Sequence, residues 1–227
     1  PSVVEFYRDL GLPPEKLRCV PNGIDIPSQP TPLDFATRRQ SLLHELNLPS
    51  DAFIAGYVGR LAKQKRVQDL IWSVETLRQI RPRLHLVIVG DGPERDRLES
   101  FAADIGCTQH VRFLGHRDDA SRWLESFDVF CLASSFEGMS NSVMEAMSMG
   151  KPVIASDIPA NRDLVIQSET GFLPKLGDTV GFMQFLRSLI DDPALCERLG
   201  RCGRERIQTS FSVSQMVESY IKVYRSL

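Results

Sequence analysis

The sequence predicts an α/β protein: a Rossmann-like, doubly wound parallel sheet covered by helices, with more helices at its C-terminal end. Three observations carry that prediction. Short, nearly continuous apolar runs alternate with amphipathic stretches of helical period. The runs lack the polar alternation of a sheet with one wet face, so both faces must be covered. Three of them end in glycine, at Gly59, Gly90 and Gly115, where the chain must turn sharply out of a strand.

The elements follow in order. Phe53 to Gly59 reads as a buried strand, and Val67, Leu70, Ile71, Val74, Leu77 and Ile80 then fall at helical spacing. Leu84 to Gly90 is a second strand, followed by a helix near Glu94 to Asp104. Val111 to Gly115 is the third strand and Ala120 to Ser126 a short helix. Asp128 to Leu132 is the fourth strand, Asn141 to Met149 a helix, and Pro152 to Ala155 the fifth strand. The ends differ from this rhythm. Pro1 to Asn47 mixes a short helix, a Pro21-Asn22-Gly23 turn and a link rich in proline (Pro27, Pro30, Pro32). Past a glycine turn at Gly171-Phe172-Leu173 the pattern is helical near Val180 to Asp191, Ala194 to Gln208 and Val213 to Leu227. There is no internal repeat and no low-complexity segment.

Composition bounds the function. The 227 residues are 42% hydrophobic and 25% charged, enough for a sizeable core. A formal net charge of -2 argues against a general nucleic-acid binder. Five scattered cysteines form no CxxC pair, and the four histidines stand singly, so no zinc spacing appears and the thiols are expected to be reduced. No apolar run approaches the ~20 residues that span a bilayer, and no signal peptide opens the chain. The sequence begins with Pro1 instead of methionine, which leads us to expect a piece of a longer, cytoplasmic protein.

The richest stretch for chemistry runs from Ser134 to Met147, between a strand and a helix. Ser140, Asn141 and Ser142 suit a helix start, whose free N–H groups and partial positive charge favour an anion. Gly138 lets a bulky phosphate approach the backbone, with Met139 beside it. Glu137 precedes the helix and Glu145 lies inside it, so two carboxylates can flank such an anion and accept hydrogen bonds from vicinal hydroxyls. After Gly59, the cations Arg60 and Lys65 occupy a loop at a strand's carboxyl end, a planar fork and a point charge for phosphate oxygens. No Asp-X-Asp pair occurs, so no carboxylate motif for a divalent metal is found. Gly90-Asp91-Gly92 begins like a dinucleotide fingerprint, but Arg95 stands where the third glycine belongs, which favours a tight structural turn. Gly115, His116 and Arg117 sit at the next strand end, where they could border a base; His116 as a catalytic base is the weaker idea, since a lone loop histidine is usually only solvated.

Together these segments resemble the C-terminal domain of the retaining, GT-B-fold glycosyltransferases known as group 1 or family 4. The resemblance runs through Pro21 to Asp25, Gly59-Arg60-Leu61 with Lys65, Val89 to Pro93, Phe113 to Gly115, the Glu137-to-Glu145 motif, Gly150 to Ala155, and Gly171 to Leu173. It implies that Arg60 and Lys65 hold the diphosphate of a nucleotide-sugar donor and that Glu137 contacts hydroxyls of the transferred sugar. It gives Glu145 the ribose hydroxyls, lets Gly138, Met139, Ser140 and Asn141 offer backbone amides, and has Gly59 and Gly115 to Arg117 line the donor. Arg60, Lys65 and Glu137 are then the candidate catalytic residues.

The same resemblance implies three regions: a junction segment at residues 1–34, a nucleotide-sugar domain at 35–210, and a last helix at 211–227 that crosses to an N-terminal acceptor domain outside this sequence. The implied reaction is sugar transfer to an acceptor hydroxyl with retention, without metal or cofactor, and with membrane contact only through that other domain. Two departures stand out. Lys65-Arg66 replaces the family's frequent Lys-Gly, and Ile158-Pro159-Ala160-Asn161 replaces a common glycine pair. An epimerase or phosphorylase of related fold, or a non-catalytic nucleotide-sugar module, remains as an alternative.

Overall fold

The computed structural model describes residues 2–28 and 32–225. Its centre is one sheet of six parallel strands: β1 (Phe53–Val58), β2 (Leu84–Val89), β3 (Val111–Phe113), β4 (Val129–Leu132), β5 (Val153–Ala155) and β6 (Gly171–Phe172). Their order is β3-β2-β1-β4-β5-β6. The chain builds outward on one side of β1, then returns and builds outward on the other. Ala55 therefore faces Leu86 of β2 and Val129 of β4. Every residue of β2 and β4 is buried, which is why the apolar runs carry no alternation.

Two helical layers account for that burial. α3 (Val67–Arg78), α4 (Arg95–Asp104) and α8 (Thr179–Asp191) pack together, and α2 (Pro32–Glu45), α5 (Ala120–Ser126), α6 (Asn141–Ser148) and α9 (Pro193–Ser210) form the other group. The helical spacing of Val67, Leu70, Ile71, Val74 and Leu77 puts all five side chains into the core from α3, while Ile80 lies beyond the helix and is exposed.

Three elements depart from the expected pattern. Gly171-Phe172 is a sixth strand, paired with Val153 and Ile154, where the sequence reads as a turn. Pro32 opens the 14-residue helix α2, a position where its missing N–H is harmless, so part of the proline-rich link is helical. Pro30, in the middle of that link, lies outside the described residues. Pro159 likewise opens a short helix, α7 (Pro159–Leu164), directly after β5.

The N-terminal segment holds α1 (Ser2–Asp9) and is tied down at Ile24. Ile24 donates its N–H to the Phe211 carbonyl (2.9 Å) and accepts from the Val213 N–H (3.2 Å), where α9 gives way to α10 (Val213–Arg225). α10 buries none of its residues and exposes Val217, Tyr220, Ile221 and Tyr224.

Candidate functional site

The loops at the carboxyl ends of the strands are joined to one another. Gly59 N–H donates to Val89 O (3.0 Å), Leu61 N–H to Asp91 O (2.8 Å), and Gly90 N–H to Gly115 O (2.7 Å). Gly90 is required: at φ +134° an added Cβ would stand 1.9 Å from the Gly59 carbonyl oxygen. Between β1 and β4, where the order of strands reverses, Ser135 donates its N–H to Gln64 O (2.8 Å). A reversal of this kind leaves a crevice at the carboxyl edge, the usual ligand position in an open α/β sheet.

Across that crevice Lys65 Nζ meets Glu137 Oε1 at 2.6 Å, both side chains being largely buried. The loop after β1 and the loop after β4 thus place the cation and the carboxylate, predicted separately, in one ion pair. Arg60, five residues before Lys65, is exposed, and its guanidinium forms no hydrogen bond or ion pair among the described residues. Tyr57, fully buried on β1, donates its hydroxyl to the Arg60 carbonyl at 2.9 Å. Burial and the nearby Glu137 carboxylate push the Tyr57 pKa up.

Ser140 caps α6, its Oγ accepting the Val143 N–H at 3.4 Å, and the side chain is buried, so the hydroxyl serves the helix. Asn141, the first residue of α6, is exposed and accepts a hydrogen bond from Asn22 Nδ2 (3.4 Å). Gly138 and Met139 border an open cleft of 490 Å³ together with Tyr7, Lys16, Arg18 and Asn22. Glu137 and Gly138 border a second, more apolar cavity of 330 Å³ with Phe136, Ile158, Pro159 and Ala160. Glu145 on α6 is an exposed residue, and desolvation of its carboxyl by the surrounding protein raises its pKa.

The third strand end is organised differently. His116 is exposed, with Nε2 3.3 Å from Asp118 Oδ1. Arg117 is committed to Asp119 (2.9 Å) and lies over the Trp123 ring, 5.1 Å from its centroid. The Gly90-Asp91-Gly92 turn is filled by its own arginine: Arg95 donates to Asp91 (3.0 Å), and the Gly92 N–H and Arg95 hold the Asp91 carboxyl below its usual range. The residue that breaks the dinucleotide fingerprint closes the turn.

Comparison with known proteins fixes the family. The model of the group 1 glycosyl transferases matches residues 39–206. The chain belongs to the group 1 glycosyl transferases. A lipopolysaccharide core biosynthesis glycosyltransferase of Rhizobium meliloti, LpsD, is 34% identical over 180 residues, 79% of this chain and 51% of LpsD. The UDP-Gal:alpha-D-GlcNAc-diphosphoundecaprenol alpha-1,3-galactosyltransferase of Escherichia coli is 30% identical over 220 residues, 96% of this chain and 56% of its own. The crystal structure of Anabaena HepE in complex with UDP superposes with a TM-score of 0.89 at 24% identity, covering 99% of this chain and 61% of HepE, which bears out the Rossmann-like fold. The chain spans about half the length of the curated relatives it matches.

Within this glycosyl transferase chain, the structure brings Lys65 and Glu137 together, leaves Arg60 exposed on the same loop as Lys65, and turns Arg117 toward α5. Sequence reasoning assigns no role to Tyr57, Gln64 or Ser156, and it marks Ser135 and Asn161 only as members of the Ser134-to-Met147 stretch and of the Ile158-to-Asn161 departure. Tyr57 was hidden in an apolar run; a phenol near the end of a buried strand is the one signal that could have exposed it, since its hydroxyl needs a partner. The others act through backbone carbonyls, which leave no mark in a sequence.

Proposed function

We propose that this chain is the donor-binding domain of a glycosyltransferase that moves a sugar from a nucleoside diphosphate to an acceptor hydroxyl with retention at the anomeric carbon. The observation that carries the reading is the Lys65–Glu137 pair spanning the crevice between β1 and β4. An ammonium has three donors, so one hydrogen bond to Glu137 leaves two for phosphate oxygens. Glu137 keeps its second oxygen, Oε2, for a sugar hydroxyl. Arg60 adds an uncommitted fork, and α6 presents its amino end. Negative charge grows on the departing diphosphate, and groups already in place stabilise that charge more in the transition state than before it. In this reading Glu145 takes the ribose hydroxyls, and Gly59, Gly115, His116, Arg117, Gly138, Met139, Ser140 and Asn141 line the donor, several of them through their backbone. Arg60, Lys65 and backbone N–H groups meet the charge without a divalent ion.

The nucleotide-sugar donor is supported by the galactosyltransferase relative, whose name specifies UDP-Gal. Because this chain spans about half of its relatives, the same reading gives the acceptor site to another domain of the whole protein. Residues 1–34 and the segment 211–227 that holds α10 then form the junction; the Ile24–Ser212 bridge and the apolar, uncovered face of α10 support that division. A cytoplasmic location, with any membrane contact made through the other domain, belongs to the same reading. Among the described residues no helix is long and apolar enough to cross a membrane.

Calorimetric titration of UDP and UDP-galactose, with turnover followed as UDP release, tests the proposal. In the full-length protein, Lys65→Ala and Arg60→Ala are each expected to raise the barrier by about 2.7–4 kcal/mol, lowering kcat roughly 100- to 1000-fold, with the fold intact by circular dichroism. Wild-type rates in both variants would refute the phosphate assignment.

A further inference from the structure

Behind the Glu137 loop lies a buried polar cluster at the carboxyl ends of β4 and β5. Asn161 on α7 is fully buried and donates from Nδ2 to the Ser156 carbonyl (2.8 Å), with Ser156 Oγ also in reach at 3.4 Å. Ser156, itself buried, donates from Oγ to the Ser134 carbonyl. The next residue, Ser135, gives both its N–H (2.8 Å) and its hydroxyl (3.2 Å) to the Gln64 carbonyl. Gln64 precedes Lys65, and Lys65 pairs with Glu137, two residues beyond Ser135. The circuit is thus a chain of hydrogen bonds from α7 through the turn after β5 to the root of the β4 loop, where it meets a ring closed by the Ser135–Gln64 and Lys65–Glu137 contacts.

This cluster is expensive for the fold. Ser134 Oγ and Asn161 Oδ1 are buried without a hydrogen-bond partner among the described residues. Unpaired polar atoms in a low-dielectric interior oppose folding, and an apolar filling of the same space would avoid that loss. Such violations of local consistency gather at functional sites. Here the cost secures the position of a carbonyl, Ser134 O, at the root of the loop that carries Glu137.

We propose that Asn161 and Ser156 are positioning residues that hold the Glu137 loop, and through Gln64 the Lys65–Glu137 pair, in the geometry that receives the donor. The inference rests on the donor-site reading for its catalytic consequence, but its structural half stands alone. Neither residue touches the donor. Their effect is to keep donors and acceptors in register with a charge that develops only during reaction, so their loss falls on kcat more than on KM.

The test uses the full-length protein, with UDP-galactose and UDP-glucose as donors and amide hydrogen exchange as a second readout. Ser156→Ala and Asn161→Ala are expected to lower kcat on the order of ten- to a hundred-fold with KM little changed, as for a small misplacement of reacting groups. Exchange at the Ser135 amide should quicken in the same variants, because its bond to Gln64 O loses its support. Ser156→Thr, which keeps the hydroxyl, should recover most of the turnover and the slow exchange. Ser126→Ala is the matched control: it also removes a buried hydroxyl, bonded to Trp123 O at 2.7 Å, but near the opposite edge of the sheet. Equal kcat and equal Ser135 exchange in Ser156→Ala, Asn161→Ala and Ser126→Ala would overturn the inference. A wild-type protein that neither binds nor consumes either sugar nucleotide would instead sink the donor-site reading, and the exchange comparison would still decide whether the circuit holds the loop.

Discussion

The two edges of the sheet differ in how completely their charges are paired. At the amino edge, Arg39 on α2 donates to Asp128 Oδ2 (2.8 Å), to the Ala52 carbonyl (2.8 Å) and to the Ser126 carbonyl, while Asp128 also accepts the Ile54 N–H at 2.6 Å. Arg81 grips both oxygens of Asp191, each at 2.7 Å. These cations are spent on the fold. At the carboxyl edge Arg60 has no partner among the described residues, and the Lys65–Glu137 pair joins two loops instead of two elements. Arg95 and Arg117 at the carboxyl edge are held by local carboxylates too, so Arg60 and the Lys65–Glu137 pair are what set this edge apart. The difference lies in how many donors remain: Arg39 gives its donors to three acceptors, Lys65 has one partner and Arg60 none among the described residues.

The largest effect should come from breaking the amino edge. Arg39→Ala removes the donor to two backbone carbonyls and leaves the Asp128 carboxylate without its cation. Breaking a buried pair costs about 3–5 kcal/mol, and the partial exposure of this one places the loss near the low end, about 3 kcal/mol. Denaturant unfolding measures it. Per folded molecule, donor binding should be unchanged, so a variant of full stability and impaired binding would erase the distinction between the edges.

How much of this was legible in the sequence follows the same division. The first five strands could be read because burial on both faces forces continuous apolar runs. β6 could not, since Gly171-Phe172 is too short to show any period. α7 was hidden because Pro159 marks both a loop and a first helical turn, and α2 because Leu42, Leu43 and Leu46 place its buried apolar residues only at and just past its C-terminal end. At the site, the residue types and loop positions of Arg60, Lys65 and Glu137 were legible. Their pairing was not: Lys65 and Glu137 are 72 residues apart, and only the reversal of strand order makes them neighbours. Arg117 shows the converse, a cation at a strand end that a local aspartate and Trp123 claim first.

A smaller effect sharpens the amino edge through pH. His85 lies at the base of β2, stacked on His110 with ring centroids 4.8 Å apart, and its buried Nδ1 has no hydrogen-bond partner among the described residues. Burial, then His110 and Arg112, lower its pKa from 6.5 to about 4, against an opposing pull from Asp51. Because the folded value is depressed, the unfolded chain binds the proton first. Stability from this group is complete above pH 6.5 and is lost as pH falls toward 4. Between pH 7 and pH 5 the loss should be about 2 kcal/mol, or roughly 4–8 °C in Tm. His85→Leu should flatten that slope when melting is followed at both pH values; an unchanged slope would show that His85 is not the group responsible.

The smallest effect tests the carboxyl edge without touching ligand groups. Arg66 stands where the family often has glycine, and its backbone is left-handed, φ +49°. Its guanidinium is anchored on Asp69 at 2.6 Å, an ion pair exposed enough to contribute little. Arg66→Ala keeps the unfavourable conformation and loses the anchor, whereas Arg66→Gly loses the anchor and relieves the strain. Gly should therefore be the more stable of the two by about 0.4–1 kcal/mol, the reverse of their usual order. Urea unfolding of the pair reads the difference directly. If alanine proves the better residue, the backbone at Arg66 is not held left-handed, and the turn that delivers Lys65 to Glu137 must be shaped in some other way.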